Sequence, residues 1–201
     1  MNRSEQLAQS EASAPSQTPQ EFSEDERRIL LRLAHESILS ALERRDIPLD
    51  PPNPHLSESR GVFTTLHLHG QLRGCVGYVL PSVPLYTAVA ETARAAAFSD
   101  TRFDAVTQEE APQLEIELSI LTPPQPIRAE DVQIGVHGLL INLHGRRGLL
   151  LPQVAVEHHW DRLTFLEQTC YKAGLPADAW RKGATIEAFT AEVFGDSPNR
   201  D

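Results

Sequence analysis

Cysteine is scarce in this chain: of 201 residues only Cys75 and Cys170 carry a thiol. They lie almost a hundred positions apart, too few and too distant for a disulfide framework or a structural zinc site built on cysteine. That usage suits a reducing compartment, and a cytoplasmic protein is expected. No stretch approaches the ~20 apolar residues of a membrane span, and the first residues lack the apolar core of a secretory signal. A soluble protein without membrane contact is therefore expected. The glycine patterns that cradle phosphates are also missing. Gly135-Val136-His137-Gly138 fits neither GxGxxG nor GxxxxGK, so no nucleotide cofactor is expected, nor any other cofactor. Positive charge is short as well, 18 Lys and Arg against 28 Asp and Glu, for a formal net charge of -10. Such a chain repels phosphate backbones, and nucleic acid is not an expected partner unless Arg73, Arg94 and Arg102 gather into a local patch.

What is present suits one domain with a real core, because 40% of the residues are hydrophobic although the polar start dilutes them. Residues 1–21 are rich in Ser, Gln, Glu, Ala and Pro and read as a disordered tail; residues 22–196 form the domain, two lobes sharing one core; residues 197–201 form a second tail. Ser23-Glu24-Asp25-Glu26 has the spacing of a capping box and starts a helix whose buried face is Leu30, Leu33, Ala34, Ser37, Ile38, Ala41 and Leu42. The prolines from Pro48 to Pro54 then enforce a loop. Ser82 is the expected cap of a second helix with Pro84 in its first turn and Leu85, Val89, Thr92, Ala93 and Ala96 inward. Leu114 to Ile120 alternates as a strand. Short strands are expected at Val132-Gln133-Ile134, Leu139 to Leu143 and Gly148 to Leu151, the last covered on both faces. A third helix follows from His159 to Ala173 with Leu163, Leu166, Cys170 and Ala173 on one side, then a last strand from Thr185 to Phe194.

The most unusual segment is Gln71-Leu72-Arg73-Gly74-Cys75-Val76-Gly77-Tyr78. Glycine weakens a strand interior, so Gly74 and Gly77 point to a bulge or to another backbone or a ligand passing close. The preceding strand, Val62 to Leu68, has its apolar residues on even positions, as does Leu72 to Leu80. Sharing a face requires paired residue numbers to sum to an even number, which a three-residue loop His69-Gly70-Gln71 satisfies. That register sets Leu68 opposite Leu72, His67 opposite Arg73, Thr65 opposite Cys75 and Phe63 opposite Gly77.

This face is the expected site. Cys75 beside a fixed cation is placed to ionise and act as nucleophile, with His67 as its base. Arg73 has the planar fork that clamps a carboxylate or phosphate, against the plainer reading of an ion pair with Glu115 or Glu117. Gly74 and Gly77 offer amides to a substrate, and Asp100, Arg102 and Glu117 would orient it, although Asp100 and Arg102 also suit a loop-fixing pair. His67, His69 and Cys75 suit zinc or copper, but no fourth ligand stands at motif spacing, and no metal is expected.

These residues resemble the AMMECR-one domain family. The likeness rests on Leu72-Arg73-Gly74-Cys75-Val76-Gly77, on Ala96-Ala97-Phe98 followed by Asp100-x-Arg102-Phe103, on Leu150-Leu151-Pro152-Gln153-Val154-Ala155, and on Lys172-Ala173-Gly174-Leu175-Pro176. It runs from Asp25 to Phe194. The resemblance implies an α+β fold, a mostly antiparallel sheet covered by helices with a smaller second lobe beside it and a cleft near the Arg-Gly-Cys strand. It supplies no assigned reaction; Memo-like and radical SAM proteins are the partners it implies. Two functions share the residues: a Cys-dependent enzyme acting on an anionic substrate in a modification pathway, or a non-catalytic module whose groove binds a peptide or partner protein.

Overall fold

The computed structural model describes residues 20–80 and 82–196. The first tail lies outside these residues up to position 19, and so does the second tail. Among the described residues the chain forms two four-stranded antiparallel sheets, each backed by helices. The α+β expectation holds.

Helix α1, Glu24–Glu43, begins as its sequence dictates, with the Ser23–Glu26 capping box formed in both directions. Leu30, Leu33, Ala34, Ser37 and Ile38 are buried on its inner side. The Glu26 carboxylate accepts from the Ser23 amide at 3.0 Å and from His55 Nδ1 at 2.9 Å. Burial by itself raises this carboxyl, but the Ser23 and His55 hydrogen bonds outweigh it and bring the pKa down to about 2. A depressed acid stabilises the fold fully above its ordinary pKa and loses that contribution as pH falls through the folded value. Glu26→Gln should therefore cost about 1 kcal/mol near pH 6. In urea titrations the gap from the parent should close as pH approaches 2; a gap independent of pH would show that the carboxylate charge is not what matters.

Strands β1, Gly61–Leu68, and β2, Gln71–Tyr78, form a hairpin. Its turn has two residues, His69 and Gly70, both at positive φ (52° and 74°), the geometry of a type I′ turn. Near the turn Leu68 pairs with Gln71 and His67 with Leu72, while beyond it Leu66 pairs with Gly74, Thr65 with Cys75 and Phe63 with Gly77. Arg73 is the extra residue of a bulge. The expected three-residue loop and the His67–Arg73 and Leu68–Leu72 pairings are thus corrected. A tight primed turn matches strand twist better, and one bulge restores the parity that the apolar pattern demands. The bulge also turns Leu72 off the core, leaving it 42% exposed.

Helix α2, Leu85–Phe98, packs on this hairpin, with Leu85, Val89, Thr92, Ala93 and Ala96 buried. Ser82 does not cap it: Pro84 occupies the cap position, and the Leu85 amide donates to the Glu58 carbonyl instead. Strand β3, Leu114–Leu121, lies on the other side of β1 and buries Leu114, Ile116, Leu118 and Ile120. The order of the first sheet is β2-β1-β3-β8, where β8 is Ala191–Gly195. One face, with Val62, Thr64, Leu66 and Leu118, meets α1 and α2 in the larger core. The Thr64 and Thr92 hydroxyls bond there at 2.8 Å. The opposite face carries the odd-numbered residues Phe63, Thr65, His67, Cys75, Glu117 and Ser119.

The second sheet has the order β4-β7-β5-β6, from Gln125–Pro126, Thr185–Phe189, Gly138–Leu143 and Arg146–Leu150. Helices α3, Pro152–Glu157, and α4, Arg162–Lys172, accompany it, and Phe165, Leu166 and Cys170 join Leu139 and Ile141 in a smaller core. Several expectations change here. Val132-Gln133-Ile134 is not a strand; it lies between the 3-10 turn Ala129–Asp131 and a turn closed by the Val136 and His137 amides donating to the Gln133 carbonyl. The expected helix from His159 begins only at Arg162, after an Asp161 cap, and turns Phe165 inward while Leu163 is exposed. Leu149, Leu150 and Leu151 are half-buried rather than covered on both faces. The last strand is two strands: β7 belongs to the second sheet and β8 to the first, so Thr190 is where the chain crosses between lobes.

The tail boundary also moves. The Glu21 and Phe22 amides donate to the Glu192 carboxylate, and Phe22 is buried, stacked on the His55 ring at 4.6 Å. Among the described residues no helix is long and apolar enough to cross a membrane.

Candidate functional site

Because α1 and α2 cover one face of the first sheet, its chemistry is displayed on the other. One cross-strand row there runs Cys75, Thr65, Glu117, Gly195, and the next pairs His67 with Glu115 on one side and Leu72 on the other. Cys75 is half-buried, and the Thr65 hydroxyl donates to its sulfur at 3.3 Å.

The backbone of Cys75 is pinned as well. Its amide points away from β1 and donates to Asp100 Oδ2 at 2.9 Å. Asp100 in turn holds Arg102 in a two-pronged pair, Nε to Oδ1 at 2.9 Å and Nη2 to Oδ2 at 2.6 Å. The Arg102 hydrogen bonds and the Cys75 amide hold the Asp100 carboxyl well below its usual range. Arg102 itself is 57% exposed and lies close enough to Cys75 to attract a negative charge placed on its sulfur. Its Nη1 has no hydrogen-bond partner among the described residues.

Arg73 is committed elsewhere. Its Nε and Nη2 each donate to Glu110 at 3.1 Å, and Nη1 donates to the Asp104 carbonyl at 2.8 Å. The fork is already occupied, by Glu110 rather than by Glu117. Glu110 was not foreseen, yet a signal for it exists: Thr107-Gln108-Glu109-Glu110 has capping-box spacing. Thr107 and Glu110 do bond reciprocally at the start of the 3-10 turn Ala111–Gln113, at 2.9 and 3.3 Å. The bulge swings Arg73 out to meet it. Arg73 and Arg102 are each paired to a carboxylate, which offsets the charge that either would bring to a basic patch with Arg94.

The glycines answer to the protein's own atoms. A Cβ on Gly74 would lie 2.2 Å from the Ala96 carbonyl oxygen, on the core side, and one on Gly77 would lie 2.4 Å from Phe63 Cδ1. A helix and a ring, rather than a substrate, make the close approaches. His67 shares the open face with Cys75, one pair along, but no hydrogen bond joins them among the described residues. His69 sits in the turn and leaves that face, so the His67, His69 and Cys75 set is not assembled for a metal. Among the described residues the only three ligand groups near enough to share an ion are Glu21, His55 and Glu58. The Arg60 guanidinium already bonds both of these glutamates.

The same open face floors a cleft of about 490 Å³ between the lobes, with Glu117, Ser119 and Val193 below and Val136, Val156 and Glu157 across from them. Glu117 therefore faces this cleft rather than Arg73. Neither Val156 nor Glu157 was foreseen, because the short helix α3 that carries them was not expected.

A family model described as AMMECR1 matches residues 31–194. A curated protein of Methanosarcina acetivorans is 42% identical over 185 residues, covering 86% of this chain and 92% of its own length. One from Pyrococcus furiosus is 43% identical over 180 residues, covering 82% and 85%. The crystal structure of an uncharacterized protein from Pyrococcus horikoshii superposes with a TM-score of 0.70 at 38% identity, covering 86% of this chain and 92% of that one.

Proposed function

The chain belongs to the AMMECR1 family, and on that premise we propose that it is a Cys75-dependent enzyme whose anionic substrate is gripped by Arg102. The observation that carries this reading is the Cys75 sulfur on the open sheet face, with the Thr65 hydroxyl donating to it, Asp100 fixing its amide and a half-free guanidinium alongside. A thiolate and an anion-binding group in one place are what nucleophilic attack on an acidic substrate requires. Arg102 takes the clamp role first given to Arg73, because its second edge remains open. His67 is the base within reach of a small movement, and Glu117 stands one strand beyond Thr65. The family's Memo-like and radical SAM associates would be partners in the same modification pathway.

The test uses two alkylating reagents of one size, iodoacetate and iodoacetamide. Arg102→Gln should slow Cys75 carboxymethylation roughly tenfold more than it slows amide alkylation. Cys170, buried and with its thiol pushed up by that burial, is the internal control. Equal slowing with both reagents would mean that Arg102 serves the sulfur or the loop and does not grip the anionic substrate. Protection of Cys75 until Cys170 also reacts would end the enzyme reading and leave a non-catalytic binding module.

A further inference from the structure

The inter-lobe cleft carries a different chemistry from Cys75. Its volume, about 490 Å³, is that of a small-ligand pocket. Two of the few large apolar side chains exposed on this protein, Val156 at 52% and Val193 at 44%, both line it, one from each lobe. An apolar wall open to water favours any ligand that covers it. Glu117 on the floor and Glu157 on α3 also line it, and neither carboxylate has a hydrogen bond or ion pair with another described residue. They differ in this from the carboxylates near Cys75 and the domain's start, where Glu21, Glu26, Glu58, Asp100, Glu110 and Glu192 are all taken up by protein partners. No arginine or lysine lines the cleft to balance the pair.

We propose that this cleft binds a small organic cation, an amine or guanidinium on an aliphatic stem, the stem on Val136, Val156 and Val193 and the charge between Glu117 and Glu157. An anionic ligand would meet two like charges, and a neutral apolar one would leave both carboxylates without a partner in a narrowed, partly dehydrated space. The volume favours a free small molecule over a folded partner. The inference does not rest on Cys75: alkylation kinetics and cation binding are read separately, so either can fail alone.

Hexylamine, hexanol and hexanoate serve as probes of matched length, followed by calorimetry and by the methyl NMR signals of Val136, Val156 and Val193. Hexylamine should bind best, shift all three valines, and weaken as salt rises. Glu117→Gln and Glu157→Gln should each weaken it about threefold, and together roughly tenfold, without altering hexanol. Equal binding of amine and alcohol, or amine binding unchanged in both variants, would overturn the proposal. So would a lysine-bearing peptide that shifts the valines where hexylamine does not, since the occupant would then be a protein.

Discussion

Gly74→Ala is expected to destabilise the fold by about 3 kcal/mol, the upper end of what a single forced methyl costs in a packed interior. The added carbon would sit 2.2 Å from the Ala96 carbonyl oxygen and 3.1 Å from its carbonyl carbon. Those are backbone atoms of α2, so no rotamer change relieves the clash; the helix must lift from the hairpin. Lifting it would separate Thr64 from Thr92, whose hydroxyls bond at 2.8 Å in the buried core. Leu72→Ala, two residues away along β2 but 42% exposed, is the control and should cost little. Urea unfolding of the two variants checks the contrast. Equal midpoints would show that α2 yields to β2 easily and that Gly74 is not held by packing.

The same glycine shows how far the sequence could be read. A glycine within a strand demanded a close neighbour, and there is one. What the one-dimensional pattern could not say is which side the neighbour occupies, because that depends on register. Parity of the apolar positions placed Thr65 opposite Cys75 and Phe63 opposite Gly77 correctly, since the larger core enforces it across β1, β2 and β3. Near the turn parity has two solutions, a longer loop or a tight turn with a bulge, and no core contact at Arg73 chooses between them. The bulge is therefore where the site reading shifted: Arg73 left the open face, and Arg102 became the cation beside Cys75.

Elements that depend on tertiary context were the least legible. Thr185 to Phe194 reads as one alternating strand, yet β7 and β8 belong to different sheets. Alternation records that each half has a buried face, not that the faces lie in one plane. Helix α3 has only six residues and starts at Pro152, too short to show a helical period. By contrast α1, with twenty residues and its own capping box, was readable because local and global preferences agree. The cleft inherits both failures, since its walls come from α3 and its floor from β3 and β8.

Glu192→Ala should be as damaging as the glycine substitution, for an electrostatic reason. Glu192 sits on the core face of β8 with its side chain only 9% exposed, and Arg27, its partner at 2.7 Å, is 19% exposed. One carboxylate oxygen accepts from the amides of Glu21 and Phe22, and the other accepts from Arg27 Nε at 2.9 Å. Truncation would strand two amides and a largely buried guanidinium at once. Breaking such a pair by removing one partner costs about 3–5 kcal/mol, most of it from the charge left behind. A second variant separates that penalty from the net value of the pair. Glu192→Leu combined with Arg27→Met removes both charges, and should recover more than half of the loss in urea titrations. The Phe22–His55 stack should loosen in the single variant, read from the His55 imidazole signals by NMR, because only the Glu192 carboxylate holds the Phe22 amide in place. If Glu192→Ala costs less than about 1 kcal/mol, the value of an ordinary surface pair, residues 20–22 are not anchored through β8. The ordered start of the domain would then rest on the Ser23–Glu26 box, the Phe22–His55 stack and the Glu21–Arg60 pair.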